Sequence, residues 1–441
     1  MLVSDGACVL ANLLAADLVF LVDAVAATDD RPRVIRQIQR RDLRHQLRDA
    51  RIAFHAGDIQ GEYLRSVGFV CNIRQHRRIA GRLPVRVFRP VSCFRYAGQV
   101  PSFGNRSRVI VYALGGTIAM TGAGGVTPSL SAGELLGAVP GLADSGVELE
   151  VVDFRRVPGA ALTIADITEL AVEIGTRIGD FDGAVVVQGT DTIEETAYLL
   201  DLLHPEPEPI VVTGAMRNPT QAGADGPANL LAAIRTAADP HARNQGALVV
   251  FADEIHAARR VGKTHTTSIA TFVSRNGGPL GYLVEGRARL LNRLTHRTVV
   301  PGYPAADLKV PVLPVALGED GTVLEAVADR VDGLIVAGFG AGHVPAHLVP
   351  GLEKLCARVP VVLASRTGSG SVLAGTYGFA GSERDLLARG LIRAGYLDPL
   401  KARLLLLTLL AAGADRTAIL AAFGVAGEYR EPGDWPWLAP E

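Results

Sequence analysis

At 441 residues the chain is too long for a single core and implies two or three domains. A formal net charge of −1, with 20% charged residues, argues against a nucleic-acid or membrane partner for the chain as a whole. Cys8, Cys71, Cys93 and Cys356 have neither C-x-x-C spacing nor a metal-ligand pattern, so they read as reduced thiols of a cytoplasmic protein.

The N-terminal stretch differs from the rest. Residues 1–100 hold sixteen Arg, no Lys and nine Asp plus Glu, a positive surplus that an acidic remainder offsets. Residues 7–27 are apolar but contain Asp17 and Asp23, and no basic segment precedes them. They suit neither a signal peptide nor a spanning helix, and no apolar stretch in the chain reaches the roughly 20 residues a bilayer requires. The segments 31–51 and 74–95 are Arg-rich. A basic arm for RNA or a membrane surface is one reading, but a poorly ordered extension over 1–105 is preferred. A sharper expectation is a natural start near Val100, since valine codons can double as start codons. Peptides from residues 1–95 of the natural protein would overturn it.

From Arg108 a regular pattern sets in. The apolar run 109–114 ends in Gly115-Gly116-Thr117. Residues 131–139 read as a helix with Ser131 as cap, and 147–154 as a strand. Thr163 caps a helix over 164–178. The run 184–187 lacks the alternation of a half-exposed strand and reads as buried and parallel. It ends in Gln188-Gly189-Thr190-Asp191-Thr192, where Thr190 or Asp191 can cap a helix reaching Leu203, with Glu194 and Glu195 in its first turn. Strands over 210–213 and 247–251 flank a helix over 227–238 that Pro227 opens. This alternation predicts a parallel, doubly wound sheet. Residues 294–314 are proline-rich and read as a linker. A smaller α/β unit follows over 315–427, with strands at 333–337 and 361–364 and helices at 348–357 and 400–412. The Leu-rich run 404–410 reads as core or subunit contact, and 428–441, with Trp435 and Trp437, as a tail.

Two strand ends thus present threonine after glycine, and in a parallel sheet both loops emerge on one edge. A third group is Lys263, in Lys263-Thr264-His265-Thr266-Thr267. The chain has forty Arg and four Lys, so a Lys in a Thr-rich loop suggests a need for a proton acceptor, which Arg cannot be. Threonine is a poor nucleophile until a base takes its proton. A lysine whose pKa burial lowers can do so through a second hydroxyl. Asp191 can hold that Lys or anchor a substrate ammonium, and backbone N–H groups of the glycine turns can stabilise an oxyanion. These parts suit acyl transfer at an amide. His256 and His265 read as polar loop residues, because no metal-ligand spacing accompanies them.

Residues from about 108 to 413 resemble the bacterial-type L-asparaginase/glutaminase family. The resemblance rests on Ala113-Leu114-Gly115-Gly116-Thr117-Ile118-Ala119, on 183–193, on Gly214-Ala215-Met216-Arg217, on 224–230, on 263–267 and on Gly278-Pro279-Leu280-Gly281-Tyr282. It implies two α/β domains, the larger N-terminal one (106–293) with a mostly parallel sheet and the smaller C-terminal one (315–427) flavodoxin-like. It also implies hydrolysis of L-asparagine to L-aspartate and ammonia, with no metal or organic cofactor, in a homodimer or homotetramer. In many members a neighbouring subunit closes the site. By the same resemblance Thr117 is the acyl-forming nucleophile, Thr190 the second essential threonine, Lys263 its proton-accepting partner and Asp191 the grip on the α-amino group. Gly116, Gly159 and Ala215 join Thr190 and Asp191 as substrate contacts.

The sequence departs from the family at several points. Leu114 replaces a Thr, and Gln188 a His, which implies tuning. The loop after Thr117 lacks the usual Tyr; Gly125, Val126 and Thr127 stand there, and Thr127 can offer a hydroxyl. Gly159 replaces a substrate-binding Ser. Glu383 is the nearest candidate for the partner-subunit carboxylate. A glutaminase or related small-amide hydrolase is the near alternative. The lost Tyr and Ser motivate an amino-acid sensor without turnover. An amidotransferase acting on charged tRNA ranks last, since the core is acidic, and Gly115-Gly116-Thr117 lacks the G-x-G-x-x-G spacing of a dinucleotide site.

Overall fold

A strand covered on both faces needs no alternation of polar and apolar residues, and β1 (Arg108–Ala113) is buried from Val109 to Ala113. The computed structural model describes residues 107–116, 118, 120–121, 127–128, 131–304 and 307–437, so the expected extension 1–105 lies outside the described residues. A short antiparallel pair, β2 (Met120–Thr121) and β3 (Thr127–Pro128), follows β1. The strands β4 (Glu148–Asp153), β5 (Gly183–Val187), β6 (Ile210–Thr213) and β7 (Ala247–Phe251) join β1 in a parallel sheet of order β4-β1-β5-β6-β7.

Three antiparallel strands, β8 (Glu254–Ala257), β11 (Gly281–Val284) and β12 (Arg287–Leu290), extend it. Both of their tight turns have two central residues at positive φ, Ala252-Asp253 (48° and 64°) and Glu285-Gly286 (52° and 71°). That is the turn whose twist matches the flanking strands. Between β8 and β11 lies a separate hairpin of β9 (Val261–Lys263) and β10 (Phe272–Ser274). Phe272 packs on Phe251 of β7, ring centroids 4.8 Å apart, and anchors this hairpin to the sheet.

Helices start where capping groups stand. Ser131 and Thr163 each form a capping box, with Glu134 and Asp166, at the head of α1 (Ala132–Gly137) and α2 (Ile164–Arg177). Neither Thr190 nor Asp191 caps α3 (Ile193–Leu203); the cap position falls to Thr192, which makes no capping bond. Pro227 sits in the first turn of α4 (Gly226–Ala237), where its missing N–H costs nothing. Helices α2 and α3 cover the sheet face of Ile110, Tyr112, Ala184, Val186, Ile210 and Val212. Helices α1 and α4 cover the face of Val109, Val111, Val185, Val187 and Val211.

These faces fix the handedness of each crossover. The chain steps from β1 outward to β4 through α1, then back past β1 to β5 through α2 on the other face, and on to β6 through α3. Those three connections share one hand. The connection β6–α4–β7 continues in the same direction but uses the opposite face, so its hand is reversed. Parallel crossovers are right-handed in about 98% of cases, which makes this one the exception. It carries the loop after β6 onto the face that holds Ile118.

The second sheet has strands β13 (Val312–Pro314), β14 (Leu334–Gly338), β15 (Val361–Ser365) and β16 (Ile392–Arg393), all parallel and in plain chain order. Strand β13 falls within the stretch expected as linker. The crossover helices α5 (Thr322–Ala328), α6 (Val349–Cys356) and α7 (Glu383–Ala388) therefore share one face. Helices α8 (Pro399–Ala411) and α9 (Arg416–Ala426) cover the other. Helix layers thus lie on both faces, as in a flavodoxin-type unit, but the strand order is sequential. Helix α8 is apolar around its circumference because it packs on α3 of the first domain as well as on β14 and β15. The leucine run is thus core shared by the two domains. Trp435 is buried, donates its indole N–H to the Val299 carbonyl (3.0 Å) and meets Trp437 edge-on, so this part of the tail packs on its own chain.

Candidate active site

The chain leaves β1 toward one face of the sheet and β5 toward the other. This is the divergence that opens a crevice at the carboxyl edge of an α/β sheet. The two exits lie side by side, with Leu114 N–H donating to Val187 O at 2.8 Å. Gly115 and Gly116 have φ of 99° and 88°, the left-handed region. A Cβ on Gly116 would collide with the backbone of Gly189, and one on Gly159 would lie 3.0 Å from Gly189 O. Three loops therefore meet through bare backbone. A side chain at 159 would crowd the Gly189 backbone, so glycine there eases loop packing as well as losing a hydroxyl.

Lys263 ends β9 rather than standing in a free loop. Its Nζ donates to Thr190 Oγ1 at 3.0 Å and to Asp191 Oδ1 at 2.7 Å. Thr190 is buried, the Lys263 side chain is 15% exposed, and that of Asp191 is 66% exposed. One lysine thus joins a buried hydroxyl to a carboxylate that faces solvent. The Thr-rich loop beyond it is stiffened by its own side chains. Thr264 Oγ1 donates to Thr271 O (2.9 Å), and His265 Nδ1 accepts the N–H groups of Thr267 and Ser268 at 3.0 and 2.9 Å. His265 is thus a turn organiser. His256 is no loop residue: it is buried in β8, with Nδ1 3.0 Å from Ser274 Oγ, and burial pushes its pKa down to about 4. Among the described residues no cluster of three or more His, Cys, Asp or Glu could hold a metal.

The loop after β6 completes the edge. Ala215 is fully buried in the cluster that includes Ile118 and Leu230. A Cβ on Gly214 would stand 3.5 Å from Thr190 Cγ2. The Asp225 carboxylate accepts the N–H groups of Met216 (3.0 Å) and Arg217 (2.9 Å). Asn229 donates to Gly214 O (3.0 Å) and accepts Ala252 N–H (3.0 Å). The motif 224–230 therefore works by fixing the backbone of 214–217.

Gly116, Gly159, Thr190, Asp191, Ala215 and Lys263 thus share one sheet edge. Thr117 and the side chain of Thr127 lie outside the described residues. Glu383 does not fit the expected role in a neighbour's site. Its carboxylate is fully buried, accepts Thr376 and Tyr377 N–H (2.9 and 2.8 Å) and sits 3.2 Å from His343 Nε2, so it serves its own domain.

Two contributors escaped the sequence reading. Thr192 accepts from Gln188 Nε2 (3.1 Å) and donates to Gly159 O (3.2 Å), tying two of the glycine loops together. Glu194 Oε1 accepts the N–H of Lys263 at 3.2 Å, and burial raises its carboxyl pKa, which Lys401 opposes. Only the spacing of Thr192 and Glu194 from Gly189, on the turn that leads into α3, hinted at either.

Residues 108–296 match the family described as "Asparaginase, N-terminal", and residues 309–423 match the "Glutaminase/Asparaginase C-terminal domain". The chain belongs to the asparaginase/glutaminase family. Among its relatives is a probable L-asparaginase of Deinococcus radiodurans, 38% identical over 294 residues, which are 65% of this chain and 88% of that protein. A glutaminase-asparaginase of Acinetobacter glutaminasificans is 32% identical over 319 residues, covering 68% of this chain and 94% of the relative. The crystal structure of a probable cytoplasmic L-asparaginase from Campylobacter jejuni superposes with a TM-score of 0.65 at 30% identity, over 72% of this chain and 99% of that one. The two matched regions contain both large sheets. Among the described residues no helix is long and apolar enough to cross a membrane.

Proposed function

We propose that this chain is an L-asparaginase, hydrolysing L-asparagine to L-aspartate and ammonia through a threonine acyl-enzyme. The observation that carries the reading is the Lys263 bridge to Thr190 and Asp191 at the edge where the β1 and β5 loops diverge. Thr117 Oγ attacks the side-chain amide carbon while its proton passes through the Thr190 hydroxyl to Lys263 in its amine form. Backbone N–H groups of the turn at Gly116 are candidates to hold the oxyanion. The C–N bond then breaks, ammonia leaves with that proton, and water hydrolyses the ester to release aspartate and free Thr117. Asp191, exposed beyond its bond to Lys263, grips the α-ammonium; Gly159 and Ala215 contribute main-chain contacts. The working form is a homodimer or homotetramer in the cytoplasm, which sedimentation and cell fractionation would test.

The deciding experiment is ammonia release from asparagine, glutamine and small amide analogues, with Thr117→Ala and Lys263→Met measured alongside. Each variant is expected to lose about 10²- to 10⁴-fold in kcat. Wild-type rates in Thr117→Ala would remove the nucleophile assignment. Aspartate binding without turnover in the unmodified chain would favour a sensor. The relative named glutaminase-asparaginase makes glutamine the second substrate to try.

A further inference from the structure

Lys401 lies at the foot of α8, in the second domain, and its side chain is 1% exposed. A buried ammonium must be compensated on all three of its donors. Here it is: Nζ donates to Asp398 Oδ2 (2.7 Å), to Val261 O (2.7 Å) and to Glu194 Oε2 at a longer 3.5 Å. Burial acts to lower the ammonium's pKa, but Asp398 and Glu194 more than offset it and hold it raised. Arg, with five donors in a planar fork, does not match three acceptors converging on one point.

The acceptors come from three places. Asp398 is the N-cap of α8, Glu194 is in the first turn of α3, and Val261 begins β9. Among the described residues strand β9 has one neighbour, β10; on its other edge Val261 O meets Lys401 and Lys263 N–H meets Glu194 Oε1. Two side chains thus do for that edge what a further strand would do, since buried backbone groups need partners.

We propose that Lys401 and Glu194 form an interdomain strut that positions Lys263, setting where its Nζ stands relative to Thr190. Among the described residues neither the Lys401 nor the Glu194 side chain bonds to Thr190 or Asp191, so both are positioning residues. The inference rests on Lys263 being the proton acceptor. Removing Lys401 leaves Glu194 a buried carboxylate without its counter-charge, still bonded to the strand that ends in Lys263. The strand edge then shifts or loosens, and misplacement of a reacting group by about 1 Å can cost 10²-fold.

The test measures kcat and KM for asparagine in Lys401→Met, Glu194→Leu and the double variant Lys401→Met/Glu194→Gln, well below each variant's melting midpoint. Lys401→Met is expected to lose about 10- to 100-fold in kcat with KM within about twofold, because Lys263 and not the substrate contacts is displaced. The double variant should recover part of that loss, since Gln keeps an acceptor for Lys263 N–H and removes the orphaned charge at 194, while Asp398 and Val261 O still lack Lys401. A lowered melting midpoint with unchanged kcat in Lys401→Met would overturn the strut. If Lys401→Met does not fold, Glu194→Leu carries the test alone: it removes the bond to Lys263 N–H and should also lower kcat, and an unchanged kcat would overturn the proposal. Lys263→Met is the control. Full activity there refutes the proton-acceptor reading itself, whereas activity lost there but kept in both Lys401→Met and Glu194→Leu refutes the strut alone.

Discussion

Both large sheets of this protein end in glycine-rich loops, but Thr190 and Asp191 stand at the edge of the first. In the first sheet the chain runs outward from β1 to β4 and then back to β5, so neighbouring loops leave toward opposite faces and part from each other. Thr190, Asp191 and Lys263 collect at that parting. In the second sheet β13 to β16 lie in chain order and all crossovers use one face, and the loop after β15 lines a cavity that Glu194 and Lys263 also line. Phe339 and His343 exchange backbone bonds at 2.8 and 2.9 Å, and Ser365 Oγ donates to Gly340 O at 2.6 Å. Strand order, more than loop composition, separates the edge where neighbouring loops part from the edge where they bond to one another.

The comparison can be pressed hardest at Thr190. Thr190→Val keeps shape and removes the hydroxyl, and it should cost about 10²- to 10⁴-fold in kcat with little change in melting. A comparable loss from Ser365→Ala, at the matching strand end of the second sheet, would break the contrast. Next come the glycines. Gly116→Ala places a Cβ against the Gly189 backbone at φ 88°, and should destabilise by about 3 kcal/mol or abolish soluble expression. The same change at Gly340, with φ 47° and open space around it, should cost about 1 kcal/mol. Denaturant titration reads both.

A smaller effect distinguishes the domains by acid. Burial holds His204 and His256, both in the first domain, at a pKa of about 4. Each is neutral when folded, while the unfolded chain takes a proton near the ordinary value of about 6.5. Their contribution is therefore complete above about pH 6.5 and is lost as pH falls toward 4. Melting followed between pH 7 and 4 should show a decline that His256→Gln reduces; an unchanged slope would remove His256 as a cause. Helix capping is the smallest effect. Thr163→Ala breaks the capping box of α2 and should cost about 1 kcal/mol.

Much of this was written locally. The runs 184–187 and 210–213, the caps Ser131 and Thr163, and Pro227 each name their element because propensity, capping and burial act over a few residues. The hairpin turn Glu285-Gly286 went unread, because Glu does not favour positive φ and the strands around it lack the pattern of parallel units. The rarity of lysine pointed to Lys263, and the same argument held a second answer. Lys309 and Lys354 are exposed, while Lys263 and Lys401 are sequestered.

By itself the sequence determined the alternation of strands and helices, the glycine turns and the family motifs, because those depend on neighbours in the chain. The tertiary structure alone decided the rest. It brought Lys263 to Thr190 across 73 residues, turned Glu383 inward, reversed the hand of β6–α4–β7 and joined Lys401 to Glu194 across 207 residues. Such contacts follow from strand order and from which face each helix covers. Those are global packing choices that no local window of sequence encodes.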